Sequence, residues 1–175
     1  MNKLVAWNTS SVGQFLMCVL ALSVISPNVF AELCPDGAAP EAAVLSYMQG
    51  MKDYQFESAY NYVTDTMTDG KSREAWTELQ LQFIVGGEVV IGKLDVRDAH
   101  SENAEDASCA QRALVPNVLR AKDKFNNQGS TEFELYTVVN EDGTWKIDSQ
   151  ESLFDEKKIK QWFPNDEIPD FMDQL

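Results

Sequence analysis

The sequence EFELYTVVNEDGTWKI, residues 132–147, predicts a β-hairpin. Asp142-Gly143 is a strong signal for a two-residue turn, because both residues tolerate the positive φ angles that such turns require. The apolar residues on either side of the turn alternate with polar ones, as in strands that bury one face. We therefore expect Tyr136 and Val138 to point outward. The residues expected to point inward are Phe133, Leu135, Thr137, Val139, Trp145 and Ile147.

Two further strands are predicted upstream of the hairpin. Between residues 89 and 96 the apolar positions change phase at Gly92-Lys93, and a β-bulge there would return them to a single inward face. Residues 98–108 follow as a polar, acidic loop. The segment 109–125 fits either helix or strand, but Pro116 excludes a helix interior. Because β-runs flank this segment, we interpret it as a strand with an edge or a bulge near Pro116.

The first half of the chain shows helical periodicity instead. Pro40 suits the first turn of a helix, where its missing N–H is not needed. Apolar residues at helical spacing predict a second helix over 56–67. Ser72 is a good N-cap for a third helix, which Gly86-Gly87 ends. The inward face of this third helix would carry Trp76, Leu79 and Phe83.

The C-terminal part of the sequence predicts one more short helix. Ser152 is its candidate N-cap, and Pro164 ends it because proline interrupts helical hydrogen bonding. Helices followed by a run of long antiparallel strands define an α+β fold. The sequence therefore predicts N-terminal helices packed on an antiparallel sheet, followed by a short C-terminal helix.

The N-terminal residues have the pattern of a secretory signal. Lys3 precedes an apolar run from Phe15 to Ile25, which is too short for a membrane span of about 20 residues. Small residues at Val29 and Ala31 fit cleavage after Ala31 and export to the periplasm or the medium. The alternative is an uncleaved anchor, and we expect no membrane span in the mature form. The expected segments are a signal peptide (1–31), a leader (32–39), a domain (40–150) and an aromatic, acidic tail (151–175).

Two cysteines, Cys34 and Cys109, remain after the proposed cleavage. Their even number fits an oxidising compartment and one disulfide between them. Such a bridge would tie the leader to the domain, and loop-closure entropy rates it at roughly 4 kcal/mol. The alternative is a pair of unpaired thiols in a reducing compartment. Cys18 lies in the apolar run after Met17, where lipid attachment would need a small residue.

The charge of the chain is strongly acidic. Its 28 Asp and Glu residues outnumber its 14 Lys and Arg residues, which gives a net charge of −14. A domain of this charge repels phosphate backbones and anionic lipid surfaces, so we exclude nucleic acid as a partner. The simplest role of the charge is solubility.

Three segments resemble the nuclear transport factor 2-like superfamily, also called the cystatin-like cone. They are the opening Pro40-Glu41-Ala42-Ala43-Val44, the stretch from Met51-Lys52-Asp53-Tyr54 to Ser58-Ala59-Tyr60, and the closing hairpin Glu141-Asp142-Gly143-Thr144-Trp145-Lys146-Ile147. The resemblance covers about residues 40–150. It implies a curled sheet wrapped around helices, with a cavity at the open end of the cone. It also makes a homodimer through the outer sheet face plausible, with Tyr136 and Val138 as the contacts.

The resemblance leaves two functions open, because members of this superfamily range from isomerases and dehydratases to domains without activity. The first is a non-catalytic binding domain for a small apolar ligand or an envelope protein. Its ligand cavity would be lined by Tyr60, Trp76, Phe83, Phe133 and Trp145. The tail aromatics would close the mouth or bind a partner, and they are Trp162, Phe163 and Phe171.

The second function is an isomerase, dehydratase or cyclase that uses a buried Asp/Tyr pair. Its weak candidate residues are Asp53, Tyr60 and His100, against the simpler interpretation that Tyr60 packs in the core and His100 lies in a solvated loop. The acidic loop lacks the spacing and the glycine of a calcium loop, so we expect no metal at His100, Glu102, Glu105 and Asp106. The sequence contains no phosphate loop, nucleophile elbow or HExxH motif, and we expect no cofactor.

Overall fold

The computed structural model describes residues 33, 38–102 and 109–168. The helical segments of this part are α1 (Pro40–Lys52), α2 (Phe56–Ala59), a 3-10 turn (Tyr60–Tyr62), α3 (Asp65–Thr68), α4 (Arg73–Gln80), a π turn (Leu81–Val85) and α5 (Glu156–Trp162). The strands are β1 (Val90–Val96), β2 (His100–Ser101), β3 (Arg112–Lys122), β4 (Ser130–Glu141) and β5 (Thr144–Leu153). The predicted α+β class is confirmed.

All five strands belong to one antiparallel sheet. Its order is β1-β3-β4-β5, and the short β2 pairs with β3 beyond the end of β1. Helix α1 packs against the sheet, and its buried residues join those of β3, β4 and β5 in the main apolar core. We call the sheet surface that faces α1 the inner face. The opposite surface, which α5 covers, is the outer face.

The predicted hairpin forms with the predicted turn. Asp142 and Gly143 have φ angles of 52° and 83°, the positive pair that a type I′ turn requires. The register of β4 with β5 then slips once, because Thr137 pairs with Ser149 whereas Val138 pairs with Ile147. The extra residue in β5 is a bulge that the sequence analysis missed, and it reverses which residues of β5 face inward beyond it.

Both upstream strands form as predicted, but β3 is a central strand that pairs continuously with β4, in place of the edge or bulge expected near Pro116. The register of β1 with β3 shifts between Ile91 and Lys93, which confirms the bulge at Gly92. Pro116 lies inside β3 at the gap between β1 and β2, where its carbonyl accepts a hydrogen bond from the backbone N–H of Arg97. In an antiparallel strand, the N–H and C=O of one residue point to the same neighbour. The missing N–H of Pro116 therefore costs no ladder bond to β4.

The single helix predicted over 56–67 is wrong. The chain forms α2, the 3-10 turn and α3 instead, with an extended Val63 between them. Val63 forms a β-bridge with Ile147, and the next residue, Thr64, donates its N–H to the Ile147 carbonyl. The Thr64 hydroxyl caps α3 and donates to Asp148. Pairing with the sheet therefore outweighs the helical periodicity of this segment.

The inner and outer faces of β4 are the reverse of the prediction. Tyr136 and Val138 are 1% and 0% exposed in the main core, so the prediction that they point outward was wrong. They cannot form a dimer contact on the outer face. Phe133 instead lies on the outer face, in a second core. The alternation rule failed because both faces of β4 are buried, so burial there does not separate apolar from polar positions.

The second core joins the C-terminal helix to the sheet. Its buried members are Val118, Phe133, Leu153, Ile159 and Phe163. The N-cap of α5 is Asp155, whose side chain accepts from the N–H of Lys158, in place of the expected Ser152. Strand β5 runs to Leu153, beyond the expected domain end at residue 150, so this part of the predicted tail is part of the fold.

Several predictions lie outside the described residues. These are the signal peptide 1–31, the cysteine Cys34, the acidic residues Glu105 and Asp106, and the tail residue Phe171. Leu33, which precedes Cys34, forms an isolated parallel bridge with Ala110. Among the described residues, the structure contains no helix long and apolar enough to cross a membrane.

Candidate ligand cavity

A cavity of about 340 Å³ lies on the inner face of the sheet. It is bounded by α1, by the π turn and by strands β1, β3 and β4. Its lining extends from buried residues such as Tyr136 to the exposed Lys122 at the end of β3, where the cavity opens. The apolar walls are formed by Met48, Met51, Ile84, Ile91 and Leu119.

A buried carboxyl group, Glu134, is part of the lining of this cavity. Its side chain is 2% exposed. Asn117 Nδ2 donates to Oε2 of Glu134 at 2.7 Å, and Gln150 Nε2 donates to Oε1 at 2.6 Å. The hydroxyl of Tyr136 lies 3.1 Å from Oε2 and also 3.1 Å from the sulfur of Met48. Among the described residues, Oε1 accepts a hydrogen bond from Gln150 alone, which leaves a lone pair for a ligand.

The sheet register brings these polar groups together. Asn117 of β3 pairs with Glu134 of β4, and Gln150 of β5 pairs with Tyr136. Directly paired residues share a face, and residues two apart on one strand do so as well. Gln150 reaches the inner face only because the bulge in β5 adds one residue before it.

Burial controls the acidity of Glu134. Loss of solvation raises the pKa of this carboxyl from 4.5 to about 7, and the nearby charge of Glu132 adds to the rise. The hydrogen bonds from Asn117, Tyr136 and Gln150 act in the opposite direction, because they stabilise the ionised form. Glu134 can therefore gain or lose a proton near neutral pH.

Two tyrosines beside Glu134 stay protonated in the same range. Burial, together with the charge of Glu134, raises the pKa of Tyr47 to about 12 and that of Tyr136 well above 10. Tyr47 lines the cavity and is 7% exposed, and its hydroxyl has no hydrogen-bond partner among the described residues. The cavity thus combines a proton-exchanging carboxyl with a neutral hydroxyl that is free to bind a ligand.

None of the five side chains predicted to line the ligand cavity lines this one, although Phe83 lines a neighbouring groove. Trp76 and Trp145 are buried in the main core, and Tyr60 packs against Trp76 and donates its hydroxyl to the carbonyl of Lys71. Phe133 is on the outer face, where its ring centroid is 5.0 Å from that of Phe163. Phe83 is 64% exposed.

The position of Phe83 follows from the π turn. The Gly86 N–H bonds to the Leu81 carbonyl, five residues back, so the turn holds more residues than an α-helical turn. The inward position therefore passes from Phe83, expected from α-helical spacing, to Ile84, which lines the cavity.

The weak catalytic candidates do not form a site. Asp53 is exposed at the end of α1, where its carboxylate accepts from Gln49. His100 lies in β2 with its ring centroid 5.3 Å from that of Trp162. Neither residue lines the cavity, and neither does Tyr60.

The remaining predicted residues have structural contacts. Phe163 of the predicted partner tail is 1% exposed in the second core, and Trp162 packs partly against that core. Glu102, considered above as a metal ligand, pairs with Arg112. The described residues contain no group of three or more His, Cys, Asp or Glu side chains that could hold a metal ion.

Sequence reasoning missed Glu134, because the alternation placed it among outward polar residues. The available signal was Asn117, a polar residue inside the apolar run ALVPNVL of a strand. A buried amide needs a hydrogen-bond partner, and the nearest strand offers a carboxylate. Only the register, however, shows that the partner is Glu134.

These features define an α+β protein whose single antiparallel sheet carries helices and a cavity on one face, with a buried acid inside the cavity. No protein-family model matches the sequence, and no curated protein matches it. Solved structures do match. One of them is the structure of Bd1075 from Bdellovibrio bacteriovorus, with 14% identity and a TM-score of 0.45. The match includes 63% of this chain but only 38% of Bd1075.

Two of the similar structures are matched over most of their length. A ketosteroid isomerase-like protein from Erwinia carotovora atroseptica is 14% identical, with a TM-score of 0.47, over 67% of this chain and 95% of that one. A domain of unknown function with a cystatin-like fold from Nostoc punctiforme is 19% identical, with a TM-score of 0.48, over 78% and 86%. These likenesses concern the fold alone.

Proposed function

We propose that this protein binds a small, mostly apolar molecule in the cavity on the inner sheet face. The observation that carries the proposal is Glu134, a buried carboxyl in the lining of a cavity that has both apolar and polar walls. Hydrogen bonds from Asn117, Tyr136 and Gln150 compensate for the burial of this carboxyl, and they hold it in place as a polar group for ligand recognition. Small-molecule sites commonly combine apolar walls with polar groups that fix the orientation of the ligand.

The polar groups also indicate how a ligand would be held. The free lone pair of Glu134 Oε1 can accept a hydrogen bond, and the unpartnered hydroxyl of Tyr47 can donate one. A ligand group that both donates and accepts, such as a hydroxyl or an amide, matches the pair.

The fluorescent probe 2-naphthol tests this proposal, since it joins a hydroxyl to an apolar ring system. We expect the full chain to bind it, and Glu134→Gln to weaken binding about tenfold to hundredfold, the cost of losing a hydrogen bond to a charged group. Glu151→Gln is the matched control, because Glu151 is exposed outside the cavity. Absence of 2-naphthol binding, together with a clean ligand-free mass in native mass spectrometry of the purified protein, would count against a binding cavity.

A second function, proton transfer on a carbonyl substrate, is favoured by one specific observation. The pKa of Glu134 is about 7, which suits a general base at neutral pH. In such a reaction the Glu134 carboxylate would take the proton from the carbon next to the carbonyl. The Tyr47 hydroxyl would donate a hydrogen bond to the oxygen that gains negative charge.

Deuterium exchange into 2-tetralone distinguishes catalysis from binding. If Glu134 is a base, the protein speeds exchange at the carbon next to the carbonyl, with a midpoint near pH 7. Glu134→Gln would abolish the acceleration. Exchange at the buffer rate by a protein that binds 2-naphthol would leave binding as the function.

Export and a disulfide belong to the same proposal. The β-bridge between Leu33 and Ala110 brings the leader next to the start of β3, and this proximity supports a bond between Cys34 and Cys109. The intact mass of protein from the periplasm should show cleavage after Ala31 and a gain of two protons on reduction. An uncut chain, or a mass unchanged by reduction, would contradict export or the bridge respectively.

A further inference from the structure

A groove of about 450 Å³ lies beside the cavity mouth. One side is the π turn with Phe83, and the other is the loop between β3 and β4 with Phe125. Ile84, Val89 and Asp123 line both the groove and the cavity, so the two spaces adjoin. An apolar chain that leaves the cavity can continue along this groove.

The two phenyl side chains at the groove are unusually open to solvent. Phe83 is 64% exposed and Phe125 is 86% exposed. Leu81, Val85 and Val90 in the adjacent segments are each about half exposed. A contiguous patch of large, exposed apolar side chains on a protein surface commonly marks a binding site. Their continuity with the cavity indicates that the same ligand covers both.

Hydrogen bonds hold the two sides of the groove together. The backbone N–H of Lys124 donates to the carbonyl of Gly87 at 3.1 Å, and its ammonium donates to the carbonyl of Gly86 at 2.7 Å. The same ammonium lies 5.1 Å from the centre of the Phe125 ring. The groove is therefore formed before a ligand arrives, which reduces the entropy cost of binding.

The charges around the cavity restrict the ligand's head group. Glu132, Glu134 and Asp123 line the cavity, against the single cation Lys122 among its described lining residues. Lys122 is exposed at the mouth, so it does not neutralise the buried end. An anionic head would meet like charges there, whereas a neutral hydroxyl or amide would find an acceptor and a donor.

We infer that the ligand is a single-chain amphiphile with a neutral hydroxyl or amide head at Glu134 and Tyr47, and an apolar chain that passes between Phe83 and Phe125. This inference rests on the proposed binding function and adds the class of ligand. It requires affinity to rise with chain length and to depend on the head-group charge.

Straight-chain primary alcohols from hexanol to decanol, and the matching carboxylates, test the inference at pH 8. We expect affinity for the alcohols to rise about threefold to fourfold per methylene, the usual effect of burying one CH₂ group. The variant Phe83→Ser/Phe125→Ser should flatten this rise with chain length. Phe154→Ser is the matched control, because Phe154 is 73% exposed and lines neither space. The carboxylates should bind at least tenfold more weakly than the alcohols.

The outcomes separate the inference from the function on which it rests. If neither hexanol nor 2-naphthol binds, the cavity is not a binding site and both proposals fail. If hexanol binds but affinity is independent of chain length, or the double variant keeps the wild-type rise, the groove is not the path of the chain. Equal affinity for carboxylates would overturn the neutral head. Binding to phosphatidylcholine vesicles that the double variant loses, with no chain-length dependence, would assign the phenyl rings to a membrane surface instead.

Discussion

Strand β4 buries Phe133 on the outer sheet face and Glu134 on the inner face, and the surroundings of these neighbours differ. Phe133 meets other apolar side chains of the second core, which fill the space between the sheet and α5. Glu134 meets three hydrogen-bond donors and an adjacent cavity. The outer face thus contributes stability through close packing. The inner face is less closely packed beside Glu134, a carboxyl that can change its charge. The proposed ligand site lies on the inner face, and three predictions test this difference between the faces.

The largest expected effect is on the outer face. Phe163→Ala should lower the free energy of unfolding by about 3–5 kcal/mol, because it leaves a cavity against Phe133. Phe154→Ala, at an exposed position in the same segment, should change it by less than about 0.5 kcal/mol. Urea unfolding measures both, and 2-naphthol binding to the folded variant should be unchanged. A cost below about 1 kcal/mol for Phe163→Ala would mean that α5 is not docked on the sheet.

The second expected effect is that Glu134 makes the free energy of unfolding depend on pH. Its pKa is higher in the folded protein than in the unfolded chain, so folding keeps a proton that unfolding releases. The stability from this group is complete below about pH 4.5 and is lost as the pH rises to about 7. Wild type should therefore lose about 2–3 kcal/mol relative to Glu134→Gln between pH 5 and pH 8, from the conversion of 1.36 kcal/mol per pKa unit.

The Glu134→Gln variant controls for the titration of the other carboxylates, because it retains all of them. Urea unfolding at the two pH values gives the difference directly. Parallel pH profiles for the two proteins would show that Glu134 is not a buried, proton-exchanging group.

The smallest expected effect is on the pKa of Glu134. It depends on Gln150, which the bulge in β5 brings to the inner face. Gln150→Leu removes a hydrogen bond that favours the ionised carboxyl, so the pKa of Glu134 should rise above about 7. An NMR titration of the Glu134 carboxyl carbon measures this change. Ser149→Ala, one residue away on the opposite face, should leave the titration unchanged. A lower pKa in Gln150→Leu would contradict the hydrogen bond across the sheet.

Much of the fold could be predicted from local patterns. The turn at Asp142-Gly143, the bulge at Gly92 and the start of α4 at Ser72 all depend on the backbone preferences of a few adjacent residues. The failures involve contacts distant in sequence. The helix expected over 56–67 breaks where Val63 and Thr64 pair with β5, and α-helical spacing fails where the π turn begins.

The residues of the candidate site could not be predicted from the sequence pattern alone. Alternation assigns one face of a strand to the core, and it cannot indicate that α5 returns to bury the second face of β4. Phe133 was therefore expected in the cavity, and Glu134 was expected in solvent. The enzyme alternative named Asp53 and Tyr60 for a buried acid and tyrosine, and neither of them lines the cavity.

The sequence by itself determined the α+β class, the strand limits near the turns and the acidic character, because these follow from backbone propensity and composition. The tertiary structure decided which face of each strand is inner, because register, bulges and the docking of α5 depend on contacts between distant residues. The raised pKa of Glu134 is of the same kind, since burial by the whole fold, rather than the residue type, makes that carboxyl titrate near neutral pH.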